Sequence, residues 1–243
     1  MKKILFLLAA FASMAVACQV EDVNEAQTPA GETFTIEAAI VPSTKTSLTI
    51  TEDAYKVEWD AEDALSVVAK YADGSYAGYE FVKTGDNTFA NETVENPSEL
   101  TELNVLYPYD DYLKSIDEDG EFNGYTYIGS RSDDSQIQTG VNNTEHVNAP
   151  LYGYAVLADE TPVVEMKHAS TLFEIIVKNE SGVDLVVSNV ALSNSENKNL
   201  VGTFYINPQT GALSEGQYVA STISLDVNNG NIAAGETGRF YIT

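Results

Sequence analysis

The sequence predicts an all-β protein built as two tandem antiparallel β-sandwiches, and three observations carry that expectation. Apolar and polar residues alternate with period two from Thr33 onward, Gly-, Asn- and Asp-containing turn signals separate the alternating runs, and no long amphipathic helix interrupts them. The alternation is plain in Phe34-Thr35-Ile36-Glu37-Ala38 and in Tyr55-Lys56-Val57-Glu58-Trp59. It returns in Leu172 to Val177, Leu185 to Leu192 and Thr222 to Val227. The breaks are Asp73-Gly74, Gly85-Asp86-Asn87, Asp119-Gly120, Ser181-Gly182, Thr210-Gly211 and Asn229-Gly230, whose residues tolerate positive φ.

The start of the chain follows another logic. Lys2 and Lys3 are basic, and Ile4 to Ala12 is an apolar run without charge. A membrane-spanning helix needs about 20 apolar residues, but small residues arrive at Ala15 and Ala17, before that length is reached. Residues 1–17 are therefore expected to be a cleaved export signal. Ala15-Val16-Ala17-Cys18 resembles a bacterial lipobox, cut between Ala17 and Cys18, with lipid joined to the thiol of Cys18, the one cysteine in the chain. Lipidation leaves no thiol for a disulfide, so stability must come from packing. Residues 18–32 form an acidic tether closing near Pro29. It reads either as a plain disordered linker or as a surface-export signal, and both readings place the body outside the membrane.

Without residues 1–17, 226 residues remain, more than the roughly 100–200 of one usual domain. Two sandwiches are expected, residues 33–160 and 161–243, divided near the polar, proline-containing Asp159-Glu160-Thr161-Pro162. Asp110 to Asn148 reads mainly as long loops. The chain stops mid-strand at Phe240-Tyr241-Ile242-Thr243, so the second sandwich is expected to be incomplete and the chain to be a fragment.

The formal charge is −25, and −27 once Lys2 and Lys3 leave with the signal. No basic stripe exists to neutralise phosphates, which excludes nucleic acid as a partner. Acidic ligands are disfavoured, and the acidity suits an exposed, self-repelling surface.

Catalytic chemistry finds little support. His146 and His168 match no metal spacing, no phosphate loop or nucleophile elbow appears, and no cofactor is expected. The acidic run Asp117 to Gly124 has the wrong register for a calcium loop, with Phe122 at its sixth position where glycine belongs. The 37 acids guarantee some neighbouring pair, so carboxylate pairing by itself is uninformative. The 14 tyrosines, among them Tyr107, Tyr109, Tyr125, Tyr127, Tyr152 and Tyr154, are either contact surface for protein or sugar or ordinary sandwich residues.

Taken in order, several segments resemble the fimbrillin family, the lipoprotein-derived pilins and pilus-associated subunits of Gram-negative anaerobes. They are Thr44-Lys45-Thr46-Ser47-Leu48, the stretch Val57 to Val67 around Trp59, and Tyr107-Pro108-Tyr109. Met166-Lys167-His168-Ala169 with Leu172 to Ile175, and Leu200 to Phe204 after it, extend the similarity over roughly Phe34 to Phe204. Trp59 is expected to plug the first core, with the acidic turn Asp60 to Asp63 exposed, and Pro108 to end a strand. The resemblance implies transthyretin-like sandwiches joined to other pilin subunits by strand addition, with the outer membrane reached through the lipid. It also implies a maturation cut that removes the N-terminal strand. Lys45 is the first basic residue after the signal, which nominates it as the cleavage site; the alternative is an uncleaved accessory or anchor subunit.

The function expected is that of a fimbrial subunit or pilus-associated surface lipoprotein with a role in adhesion to a host or glycan target, without enzymatic activity. The competing reading is a surface glycan-binding lipoprotein with Trp59 or tyrosine platforms, which a buried Trp59 would weaken. A secreted hydrolase would need a cleft of convergent carboxylates.

Overall fold

The computed structural model describes residues 33–40, 47–50, 55–110, 125–128, 136–145, 147, 150–158 and 161–243, with backbone alone at 47–50, 55–58 and 125–128. In chain order the strands are β1 (Phe34–Ile40), β2 (Ser47–Ile50), β3 (Tyr55–Glu58), β4 (Ala64–Tyr71), β5 (Tyr76–Lys83), β6 (Thr88–Asn91), β7 (Leu100–Tyr107), β8 (Tyr125–Ile128), β9 (Gln136–Thr139) and β10 (Leu151–Val156). Then come β11 (Val163–His168), β12 (Phe173–Lys178), β13 (Leu185–Val186), β14 (Asn189–Ser193), β15 (Gly202–Ile206), β16 (Leu213–Glu215), β17 (Thr222–Asn228), β18 (Asn231–Ile232) and β19 (Thr237–Ile242). Among the described residues the one helical element is a 3₁₀ turn, Pro97–Glu99. The protein is all-β, as its alternation requires.

Seven strands close into a ring in the order β1-β11-β10-β7-β4-β5-β6. Hairpins build most of it: Asp73-Gly74 turns β4 into β5, with Gly74 at φ 90°, and Gly85 donates to the Thr88 carbonyl between β5 and β6. The ring is not wholly antiparallel. β1 runs antiparallel to β6 through Phe34↔Asn91 to Glu37↔Thr88, then parallel to β11 through Glu37↔Val163 to Ile40↔Met166. Parallel neighbours need a long crossover, and more than a hundred residues separate β1 from β11.

Inward residues of these strands fill the interior, as small barrels require. Trp59 is 6% exposed, stands edge-on to Phe89 and Tyr107 at 5.0 and 5.3 Å, and donates its indole N–H to the Ala38 carbonyl at 2.9 Å. It plugs the first core as expected. β7 stops at Tyr107, ahead of Pro108. Gly153 on β10 is required by packing, because a Cβ there would lie 2.6 Å from Val164 Cγ1 and 2.7 Å from Met166 Sδ.

The second half is assembled from shorter pieces: β14-β17-β9, β16-β15-β8, and the pairs β12-β19 and β13-β18. Its main core gathers Val201, Ile223, Leu225, Val227, Phe240 and Ile242. The pairing crosses the boundary expected at 160/161 in both directions. β11 lies in the ring, while β8 and β9 pair with β15 and β17. Hence the Asp110 to Asn148 stretch, expected to be loops, contributes two strands to the second half. Leu185 to Leu192, expected as one strand, is split. Its inward residues change parity between Val187 and Val190, and the chain crosses from β18 to β17 there, with Val187 N–H donating to Gly230 and Ser188 C=O accepting from Val227.

Candidate functional site

Two features of the architecture can engage something outside the chain. The first is a set of strand edges. Among the described residues β12 pairs with β19 alone, and its apolar Phe173 and Ile176 are 49% and 54% exposed. Among the described residues, seven partly buried apolar residues flank the seven buried ones of this core, against five beside seventeen in the ring.

The other edge of β19 meets mainly side chains instead of a paired strand, with one backbone bond from the Asn142 N–H to the Arg239 carbonyl at 3.0 Å. Gln138 Oε1 accepts from Tyr241 N–H at 3.1 Å, and its Nε2 donates to the Arg239 carbonyl at 2.9 Å. Gln136 repeats the pattern at Thr243, accepting its N–H at 3.1 Å and donating to its carbonyl at 2.6 Å. A carboxamide carries the same donor and acceptor as a peptide group, so two glutamines of β9 serve β19 as a neighbouring strand would. The sequence hides this arrangement, because in β9 the polarity is inverted. Ile137 is 52% exposed and Gln138 fully buried, and alternation alone would have turned the strand over. On the β12–β19 face Arg239 Nη1 holds Glu174 at 2.5 Å, with Tyr241 O–H donating to the same carboxylate at 3.3 Å.

The second feature is a cleft of about 880 Å³ between the outer face of the ring and the β15–β16 hairpin. The hairpin is seated by Ile206, which packs on Leu106, Tyr152 and Ala169. Its turn presses Gly211, at φ +72°, so close to Tyr152 that a Cβ would fall 2.2 Å from the phenol oxygen. On the ring wall Lys70 and Glu102 pair at 3.2 Å, and Lys70 Nζ lies 5.9 Å from the centre of the Tyr76 ring. The Glu102 hydrogen bond holds the Lys70 ammonium above its ordinary pKa. Tyr154 is held above its usual value by burial first and then by its hydrogen bond to Glu102.

The acidic turn after Trp59 is a structural cap. Asp63 accepts the Tyr107 hydroxyl at 2.8 Å and the Asp60 N–H at 2.6 Å, while Lys83 donates to the Trp59 carbonyl. Burial raises the Asp63 pKa although the Tyr107 bond opposes it, and burial likewise raises Tyr107.

Of the residues nominated from sequence, Ala17, Cys18 and Lys45 lie outside the described residues, as do the signal and tether over 1–32, His146 and the Asp117 to Gly124 run. His168 ends β11 opposite Leu151, inside the ring's pairing. Trp59 is buried, which removes it as an exposed platform. Tyr152 and Tyr154 line the hairpin interface and the cleft, whereas Tyr107 belongs to the core. Among the described residues no group of three or more His, Cys, Asp or Glu could hold a metal, and no helix is long and apolar enough to cross a membrane. Compared with protein-family models and with curated proteins, the chain matches none.

Proposed function

We propose that this protein is a lipid-anchored fimbrial or pilus-associated subunit of the fimbrillin type, held at the outer membrane through Cys18 and joined to other subunits by β-strand addition. The observation that carries the reading is the position of β1. It alone bridges β6 and β11, and so closes the ring. It also stands just before Lys45, the first basic residue after residues 1–17.

A cut after Lys45 would release Cys18 to Lys45 with β1. The edges of β6 and β11 would then be bare, and the slots of Ile36 and Ala38, both fully buried, would open as a groove along the core. A strand from a neighbour can occupy such a groove, backbone bonds giving affinity and alternate apolar side chains giving register. In this reading the ring is a transthyretin-like sandwich of two layers with β1 crossing from one to the other. The half-covered core under β12 belongs to a second sandwich with an edge of its own, and adhesion follows from displaying such subunits beyond the cell.

The test is N-terminal sequencing of protein sheared from the cell surface, combined with electron microscopy of that material under an antibody to this chain. The expected result is a new terminus at Thr46 and labelled filaments. Copies that all keep the Cys18 end and label filaments would make it an uncleaved accessory or anchor. Dispersed label with no filaments would overturn the assembly role.

A further inference from the structure

Beyond strand assembly, we propose that the cleft between the ring and the β15–β16 hairpin binds a short neutral oligosaccharide. Tyr76 and Tyr154 stand on its ring wall and Tyr205 on the hairpin wall. A pyranose presents C–H groups on its faces and hydroxyls at its rim, so it needs flat apolar surfaces with polar groups set around them. Tyrosine supplies both from one stiff side chain.

The rim chemistry is present. Asn104 forms a buried floor on β7, donating a long 3.4 Å bond to the Val68 carbonyl, and Asn207 and Gln209 face it from the hairpin turn. These amides each offer a donor and an acceptor, as does the Lys70–Glu102 pair taken together, which matches the dual character of sugar hydroxyls. The volume of about 880 Å³ falls within the range of about 300–1,000 Å³ usual for small-ligand clefts.

Charge narrows the class. Lys70 is offset by Glu102 at 3.2 Å, and the chain carries −25, so sialylated or sulfated sugars are repelled. Glu102 is the one carboxylate among the described lining residues. The common form of glycoside hydrolysis uses two, and these lining residues supply groups for holding a glycan.

Both walls are packed in place. The ring supplies one, and the other is seated on it through Ile206 and the close approach of Gly211 to Tyr152. Tyr205 is 43% exposed and lines the cleft, so its ring is open to a ligand.

The test is saturation-transfer NMR and titration calorimetry on the full-length protein in detergent. The probes are cellotetraose, maltotetraose, mannotriose and chitotriose, with a sialylated trisaccharide and an unrelated neutral tetrapeptide as comparisons. At least one neutral probe is expected to bind with millimolar affinity or better. Tyr205→Ala should weaken it about tenfold, and Glu102→Gln by several-fold, with melting temperatures measured alongside to separate loss of binding from loss of fold. Failure of all four neutral sugars, preference for the sialylated sugar or the peptide, or full affinity in Tyr205→Ala would overturn the proposal. None of these outcomes bears on filament formation, so the two readings fail separately.

Discussion

Replacing Gln138 by alanine isolates the side-chain strand beside β19. The residue is fully buried, and its amide makes three bonds: to the carbonyls of Arg239 and Gly140, both at 2.9 Å, and from the Tyr241 N–H at 3.1 Å. An ordinary bond contributes about 0.5–1.5 kcal/mol net, and a buried partner left unsatisfied costs about 1–3 kcal/mol. Tyr241 is itself buried, so its N–H has no route to water without opening the seam. Gln138→Ala is therefore expected to destabilise the fold by about 3 kcal/mol, or about 6–12 °C in Tm for a chain of this length.

Gln138→Glu sharpens the test. The glutamate keeps the shape and still accepts from Tyr241, but at neutral pH it aims a carboxylate at two carbonyls. Burial and those oxygens would raise its folded pKa. The folded state would then bind a proton that the unfolded state has released, and the variant should regain stability as pH falls through that pKa. Thermal melts by circular dichroism at pH 7 and pH 5 would read both effects. A loss under about 1 kcal/mol in Gln138→Ala, or a Glu variant insensitive to pH, would refute the view that these amides replace a strand.

Trp59→Phe should cost about 1–2 kcal/mol through the lost bond to the Ala38 carbonyl, and Trp59→Ala about 3–5 kcal/mol, both read by urea denaturation. Gly153→Ala, which drives a methyl into Val164 and Met166, should cost about 1–3 kcal/mol by the same assay; a neutral effect would mean that β10 can move aside. Asp63 has a raised folded pKa, so the stability it contributes is full below its usual value of 3.8 and is lost as pH rises through the folded value. Asp63→Asn should flatten that fall, and a wild-type-minus-variant difference constant from about pH 4 to 7 would contradict it.

What the sequence disclosed and what it concealed divide along one physical line. Where a strand had one wet face, the alternation in Phe34 to Ala38 or Thr222 to Val227 placed it, and Gly74, Gly211 and Gly230 marked the turns. The plug role of Trp59 was legible from its position at the end of an alternating strand. Ring closure was not, because nothing local in Phe34–Ile40 says that its two halves pair with strands on opposite sides. β9 was invisible since its buried residues are amides that resemble loop residues until their partners on β19 are known. The cleft escaped for a related reason. Lys70, Glu102 and Tyr154 sit on three different strands, and only the sheet order brings them together.

The two halves manage their edges in opposite ways, and that contrast gives the proposed assembly its direction. A closed ring has no edge to offer, so under the proposed assembly the first half would accept a foreign strand only after β1 departs, which would couple joining to a cut at one point in the chain. In that proposal the second half needs no such cut, since among the described residues β12 pairs with β19 alone, and the far edge of β19 meets the amides of Gln136 and Gln138 and the Asn142 N–H. On that proposal, strands gained at β12 without processing would join subunits prematurely. Exposed Lys178 and Glu180 at the end of β12, paired at 2.6 Å, are the kind of charged guard that discourages such pairing. Replacing Lys178 with leucine and Glu180 with glutamine, which removes both charges of that pair, should therefore promote self-association, visible as a shift in sedimentation. An unchanged sedimentation profile would show that the β12 edge is guarded by something other than charge.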